Sequence, residues 1–277
     1  MSSRSRNRPP KLEPRAARAT IAAVPTREEL VERAKLAGAA GGPEPGPTEL
    51  RRLVDNMARG DRRALGELGP IPGLTALDGW SAITAIFGAT PEDPRIDPRC
   101  TIVGAERAAS RVRAVAASGV RIALATAHPA SLLALYGAFA GIARRAGGDV
   151  IDVADSGPMR ADGRAQRWLR WVDGVATVTD GSALCATNDG EVAREWLFLV
   201  PRPSLVIADG PFAEVAWEAG IEVVVLAGLD RPAPAIAAAR EARCTVVPLR
   251  TDRAPRNYGV VRSLVELPAG LGYTPEM

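Results

Sequence analysis

His128 is the chain's one histidine, and it stands between the apolar run Ile122-Ala123-Leu124-Ala125-Thr126-Ala127 and the segment Pro129-Ala130-Ser131-Leu132. An imidazole titrates near neutrality, so a residue so placed can protonate a leaving oxygen or bind phosphate as a charged donor. The run ends where a proline opens a helical pattern, which reads as a strand giving way to a helix. Open α/β sheets bind ligands outside the carboxyl ends of such strands. The first N–H groups of a helix favour an anion, and Thr126 and Ser131 add hydroxyl groups beside them. The expected ligand chemistry is that of a phosphate or a carboxylate.

Carboxylates recur at other strand ends: Asp152 and Asp155 with Ser156, then Asp209, then Asp230. Asp152, Asp155 and Asp209 are candidate ligands for Mg²⁺, a hard cation that takes oxygen donors and shares them with substrate phosphate. Asp209 is the sharpest of them. In Val206-Ile207-Ala208-Asp209-Gly210-Pro211-Phe212 it leaves a buried strand just before a glycine, which lets backbone approach a ligand closely. The same aspartate equally suits a helix N-cap, and turn or cap duty is the plainer account of each aspartate taken alone. Arg250 and Arg253, with Arg256, follow the last strand and could present planar donor forks to an anion, or simply line a solvated loop. The sequence contains neither G-x-x-x-x-G-K-[ST] nor a strand-linked G-x-G-x-x-G, which disfavours nucleoside triphosphates and dinucleotides. G-x-S-x-G and H-E-x-x-H are absent too.

The elements that must position these groups fall into three stretches. Residues 1–25 are basic and poor in large apolar groups, and are expected to be a disordered tail. Residues 26–98 read as a helical lead-in, with a Thr26/Glu29 capping box, a second helix over 48–58 and a third capped by Asp78, which the prolines of 91–98 stop. Residues 99–277 alternate strand and helix in the rhythm of an α/β, doubly wound, mostly parallel sheet. Its strands are expected at 121–125, 149–153, 205–208, 222–226 and 245–249, with helices at 105–118, 129–146, 191–199, 212–219 and 232–240. Asp173-Gly174 sits between two strand-like runs and predicts an inserted β-hairpin over 167–179 with a type I′ turn. After Arg250 the pattern is irregular.

With 277 residues, 47% hydrophobic, the chain can bury one large core. A net charge of +3, with bases and acids interleaved, argues against nucleic acid as a partner. Cys100, Cys185 and Cys244 are too far apart for a disulfide framework or a zinc site, and they are expected to be inert packing in a reducing cytoplasm. Residues 1–19 lack the apolar core of a secretory signal, and no run approaches the length needed to span a bilayer. Oligomeric state is left open.

Two stretches, Arg121 to Leu133 and Trp171-Val172-Asp173-Gly174-Val175 running on to Thr179-Asp180-Gly181, together with the Asp209 segment, resemble a group of actinobacterial proteins commonly labelled phosphatase. The similarity covers residues 48–258 and implies a reaction class without naming a substrate. A partial resemblance to haloacid-dehalogenase-type phosphatases implies a phosphate-binding role for Thr126 and a metal-binding role for the Asp209-Gly210 segment. The D-x-D nucleophile motif of those enzymes is missing, because Ala76 stands where the nucleophile of Ala76-Leu77-Asp78 would be. The resulting expectation is a hydrolase of small phosphomonoesters, with His128 and Asp209 catalytic and Thr126, Ser131, Arg250 and Arg253 on the substrate. Asp152, Asp155 and Asp209 would hold Mg²⁺ or orient water. The alternative is a noncatalytic binding or regulatory protein for a small phosphorylated ligand.

Overall fold

The computed structural model describes residues 25–42, 45–161 and 165–267. The expected disordered tail of 1–25 lies almost wholly outside them. The amino-terminal third is helical: α1 (Arg27–Ala37), α2 (Pro47–Ala58), α3 (Arg62–Leu65) running into a 3₁₀ turn (Gly66–Leu68), α4 (Ala76–Phe87) and α5 (Pro98–Ala116). The alternating part follows with β1 (Arg121–Ala125), α6 (Pro129–Arg145), β2 (Asp149–Val150), β3 (Met159–Ala161), β4 (Ala165–Val172), β5 (Val175–Thr179) and β6 (Leu184–Cys185). It continues through α7 (Gly190–Leu199), β7 (Leu205–Asp209), α8 (Gly210–Glu218), β8 (Glu222–Ala227), α9 (Ala233–Arg240), β9 (Cys244–Pro248), a 3₁₀ turn (Pro255–Tyr258) and α10 (Gly259–Glu266).

The strands form a mixed sheet in the order β3-β4-β5-β1-β7-β8-β9, with β2 beside β1 and β6 beside β5. β1, β7, β8 and β9 run parallel. On its other side β1 is flanked in parallel first by β2 and then, further along, by β5. The β4–β5 hairpin closes through Asp173 (φ 52°) and Gly174 (φ 80°), both left-handed as a type I′ turn requires. The chain goes from β1 to one side of the sheet and later returns to β7 on the other. The order therefore reverses between β1 and β7, which makes their carboxyl ends the switch point of the sheet.

Strand side chains alternate between two cores. Ile122, Leu124, Leu205, Ile207, Val224 and Leu226 pack against the face that includes α1, α5, α6 and α10. Ala123, Ala125, Val206, Ala208, Val223 and Val225 pack against α2, α4, α7, α8 and α9. Full burial of a leucine or isoleucine is worth about 1.5–3 kcal/mol, so both faces must be covered for such strands to persist, and the sheet is doubly wound as expected. The lead-in serves both sides: Ala39 belongs to one core and Ala40 to the other. At that crossing Ala39 O accepts the N–H of Arg250, just beyond β9.

Three local readings need correction. Pro98 does not stop a helix; it opens α5 behind the N-cap Asp97, where a missing N–H costs nothing, and α4 ends instead at left-handed Gly88. Asp78 is not an N-cap but the third residue of α4, in a reciprocal capping box with the N-cap Thr75. The stretch after Arg250 is not irregular, because Val261, Leu264 and Val265 form an apolar stripe that buries α10.

Candidate active site

Three strands deliver polar groups to the switch point. β1 runs out into Thr126, Ala127 and His128; β7 ends on Asp209; and β8 is followed by the turn carrying Asp230 and Arg231. His128, Gly210, Glu214, Asp230, Arg231 and Thr251 line an open cleft there. Its enclosed part, about 10 Å³, is room for about a single water, so a ligand would bind at the mouth of the cleft rather than inside it.

Asp209 is wholly buried, and every bond it makes points to one task. Its Oδ1 accepts the Tyr136 hydroxyl at 2.7 Å and the Ala127 N–H at 3.2 Å, while Oδ2 lies 2.6 Å from His128 Nδ1. A buried carboxylate is costly unless paired and hydrogen-bonded, and here three partners surround it. Burial, then the charge and hydrogen bond of Asp209, raise the Tyr136 pKa well above its ordinary value, so this hydroxyl stays a donor. Gly210, at φ +54°, makes the sharp exit from β7, and a Cβ there would press on Ala127 Cβ at 3.1 Å.

With the Asp209 carboxylate on Nδ1, the imidazole is held in one orientation and keeps Nε2 for other work. Burial lowers the His128 pKa, but the hydrogen bond and charge of Asp209 and the charge of Asp230 outweigh both burial and Arg231, so the net direction is upward. The site thus favours an imidazolium that can give a proton and recover it.

Arg231 lines the same cleft. Its Nη1 donates to Asn188 Oδ1 at 3.0 Å and its Nη2 to Glu214 Oε2 at 3.1 Å. Glu214, on α8 and nearly inaccessible, also accepts the backbone N–H of Glu67 at 2.8 Å. Burial raises the Glu214 pKa, opposed by Arg231 and the Glu67 N–H. Asn188 is carried by a segment tied to the site through the Thr187 N–H, which donates to Ala127 O at 3.0 Å.

The residues anticipated from sequence separate into two groups. His128 and Asp209 are in direct contact. Thr126 is fully buried and its hydroxyl accepts the His128 N–H at 3.1 Å, so it shapes the turn. Ser131 is half-buried in the first turn of α6, with its N–H on His128 O. Asp155 accepts from Arg170 Nε at 3.2 Å and from the Trp171 N–H at 3.1 Å, out on the β4–β5 hairpin, and Asp152 is exposed nearby in chain. Arg250 reaches Asp252 and lies against Gly42, while Arg253 approaches Asp252 at 3.8 Å; neither lines the cleft. Asp78 sits on the exposed start of α4.

The expected Mg²⁺ site is not assembled: among the described residues no three of His, Cys, Asp and Glu converge as metal ligands. Asp209 spends both oxygens on protein donors, and Asp155 is committed to the hairpin. Asp152, Asp155 and Asp209 therefore do not act together as one ligand set. Cys244 matches inert packing, since burial pushes its thiol up to about 12.

Arg231, Glu214, Asn188 and Tyr136 were not anticipated. Tyr136 alone left a readable signal: a hydroxyl on an otherwise apolar helix face must find a partner.

The fold and this constellation define an α/β protein with a histidine–carboxylate pair and an arginine in one switch-point cleft. A family model described as Phosphatase matches residues 88–267, and the chain belongs to that family. It is also 30% identical over 273 residues to Phosphatase SCO2771 of Streptomyces coelicolor, spanning 91% of this chain and 99% of that protein. No solved structure matches it. Among the described residues no helix is long and apolar enough to cross a membrane.

Proposed function

We propose that this protein hydrolyses the phosphomonoester of a small metabolite, with His128 as general acid. The observation that carries the reading is the 2.6 Å contact between His128 Nδ1 and a wholly buried Asp209, beside an open cleft. Water adds to phosphorus, and the ester oxygen departs with the proton of His128 Nε2. The proton released by the water then returns to the imidazole, so the cycle closes without net change in the protein. Asp230, exposed on the cleft wall, is the carboxylate available to relay that proton. Asp209 holds the imidazole in its productive orientation and favours the charged form. Family membership supports a phosphorylated substrate, and the polar lining of the cleft supports recognition of a phosphoryl group at its mouth.

The test is phosphate release from a panel of phosphorylated metabolites and p-nitrophenyl phosphate by the wild type and by His128→Gln. The variant should lose about 10²–10⁴-fold in kcat while remaining folded, with a melting temperature that approaches the wild type's at alkaline pH. Wild-type binding of phosphate without any turnover across the panel would replace this reading by a noncatalytic, ligand-binding one.

A further inference from the structure

The geometry points to Arg231 as the residue that grips the phosphoryl oxygens, aimed by Glu214 and by the Gly66–Glu67 turn of the lead-in. This inference rests on the phosphate chemistry proposed above and assigns to it a residue and a control point.

A guanidinium carries five N–H donors in a rigid fork. One Nη1 donor and one Nη2 donor of Arg231 go to Asn188 and Glu214, while the side chain still lines the same cleft as His128. An arginine held through both terminal nitrogens by protein acceptors, yet with its side chain 26% exposed in a cleft, is preorganised for an anion with the donors that remain. Glu214 cannot swing away, because the Glu67 N–H holds the same oxygen that accepts from Arg231. Gly66 completes the seat. It has a φ of +59°, and a Cβ there would collide with Glu214 Oε2 and stand 2.9 Å from Arg231 Nη2. The Glu67 side chain ion-pairs with Arg194 of α7 and packs on Gly190, next to the segment bearing Asn188. One turn of the lead-in therefore braces both acceptors that aim Arg231.

The test uses the full chain and two probes, inorganic phosphate in titration calorimetry and p-nitrophenyl phosphate in steady-state kinetics. Arg231→Gln should raise the phosphate Kd and the KM by about tenfold or more, and Arg231→Lys should recover part of the loss. Glu214→Gln should raise KM more than it lowers kcat. A merely structural ion pair would lower Tm without touching Kd. The pH profile supplies another readout: of the charged groups facing His128, Asp209 and Asp230 raise its pKa and Arg231 lowers it, so Arg231→Gln should move the basic limb upward. If Arg231→Gln does not fold, Asn188→Ala removes the other acceptor and should raise the phosphate Kd. Unchanged Kd and KM in the folded variants, or no phosphate binding by the wild type, would overturn the assignment. A wild type that binds phosphate through Arg231 yet hydrolyses nothing would instead sink the hydrolase reading and leave the grip intact.

Discussion

Asp209 and Asp155 both follow parallel strands that read alike in sequence, yet the fold uses them in opposite ways. Asp209 ends β7 at the point where the sheet reverses its order, is sealed from water, and directs a carboxylate oxygen at His128. Asp155 lies beyond β2, half-exposed, and fastens the hairpin through Arg170 and the Trp171 N–H. The difference arises because β2 is only two residues long and β5 takes over its place beside β1. The chain after β2 is led away toward β4. A strand-end carboxylate becomes part of a site only where two neighbouring strands open a crevice together.

The sharpest way to break this contrast is Asp209→Asn. The amide offers one acceptor where Ala127 N–H, Tyr136 O–H and His128 Nδ1 all need one, so either the imidazole flips its proton or an N–H is left facing an N–H. Activity against p-nitrophenyl phosphate should fall about 10²–10⁴-fold, and denaturant unfolding should show a loss of about 1–3 kcal/mol.

The pH dependence gives an intermediate effect. The folded pKa of His128 lies above its unfolded value of about 6.5. Its stabilising contribution is therefore complete below that value and disappears as pH rises through the folded pKa. The difference in melting temperature between wild type and His128→Gln should shrink over that window, and kcat should decline along the same limb. A difference that grows with pH would contradict the charge assignment. The smallest effect belongs to Asp155→Asn, which should change kcat by less than about twofold and stability by under about 1 kcal/mol, as for an exposed pair.

His128, Asp209 and the β4–β5 turn were legible because each rests on a local pattern: an apolar run meeting a helix start, or a dipeptide that demands positive φ. The partner set was not. Arg231 sits in an ordinary loop between β8 and α9, and Glu214 is a charge in a helix whose burial depends on a turn far away in chain. Only the neighbouring strand-end Asp230 pointed to that loop, and nothing in the pattern singled out the guanidinium or Glu214. The two-residue length of β2 was equally hidden, since Val153 continues a strand-like composition although the last bond to β1 is that of the Ile151 N–H to Ile122 O. Composition reports what a segment could bury, whereas pairing is decided by the competitor strand.

The passage of the lead-in from one core to the other at Ala39 and Ala40, beside the end of β9, bears on self-association. β9 closes one side of the sheet, and unguarded border strands invite a second molecule to add its own backbone. Here the polypeptide's own loop takes the N–H of Arg250, just past the end of β9, and so caps the carboxyl end of that border. The amino-terminal third therefore doubles as a stop on where that border can be extended.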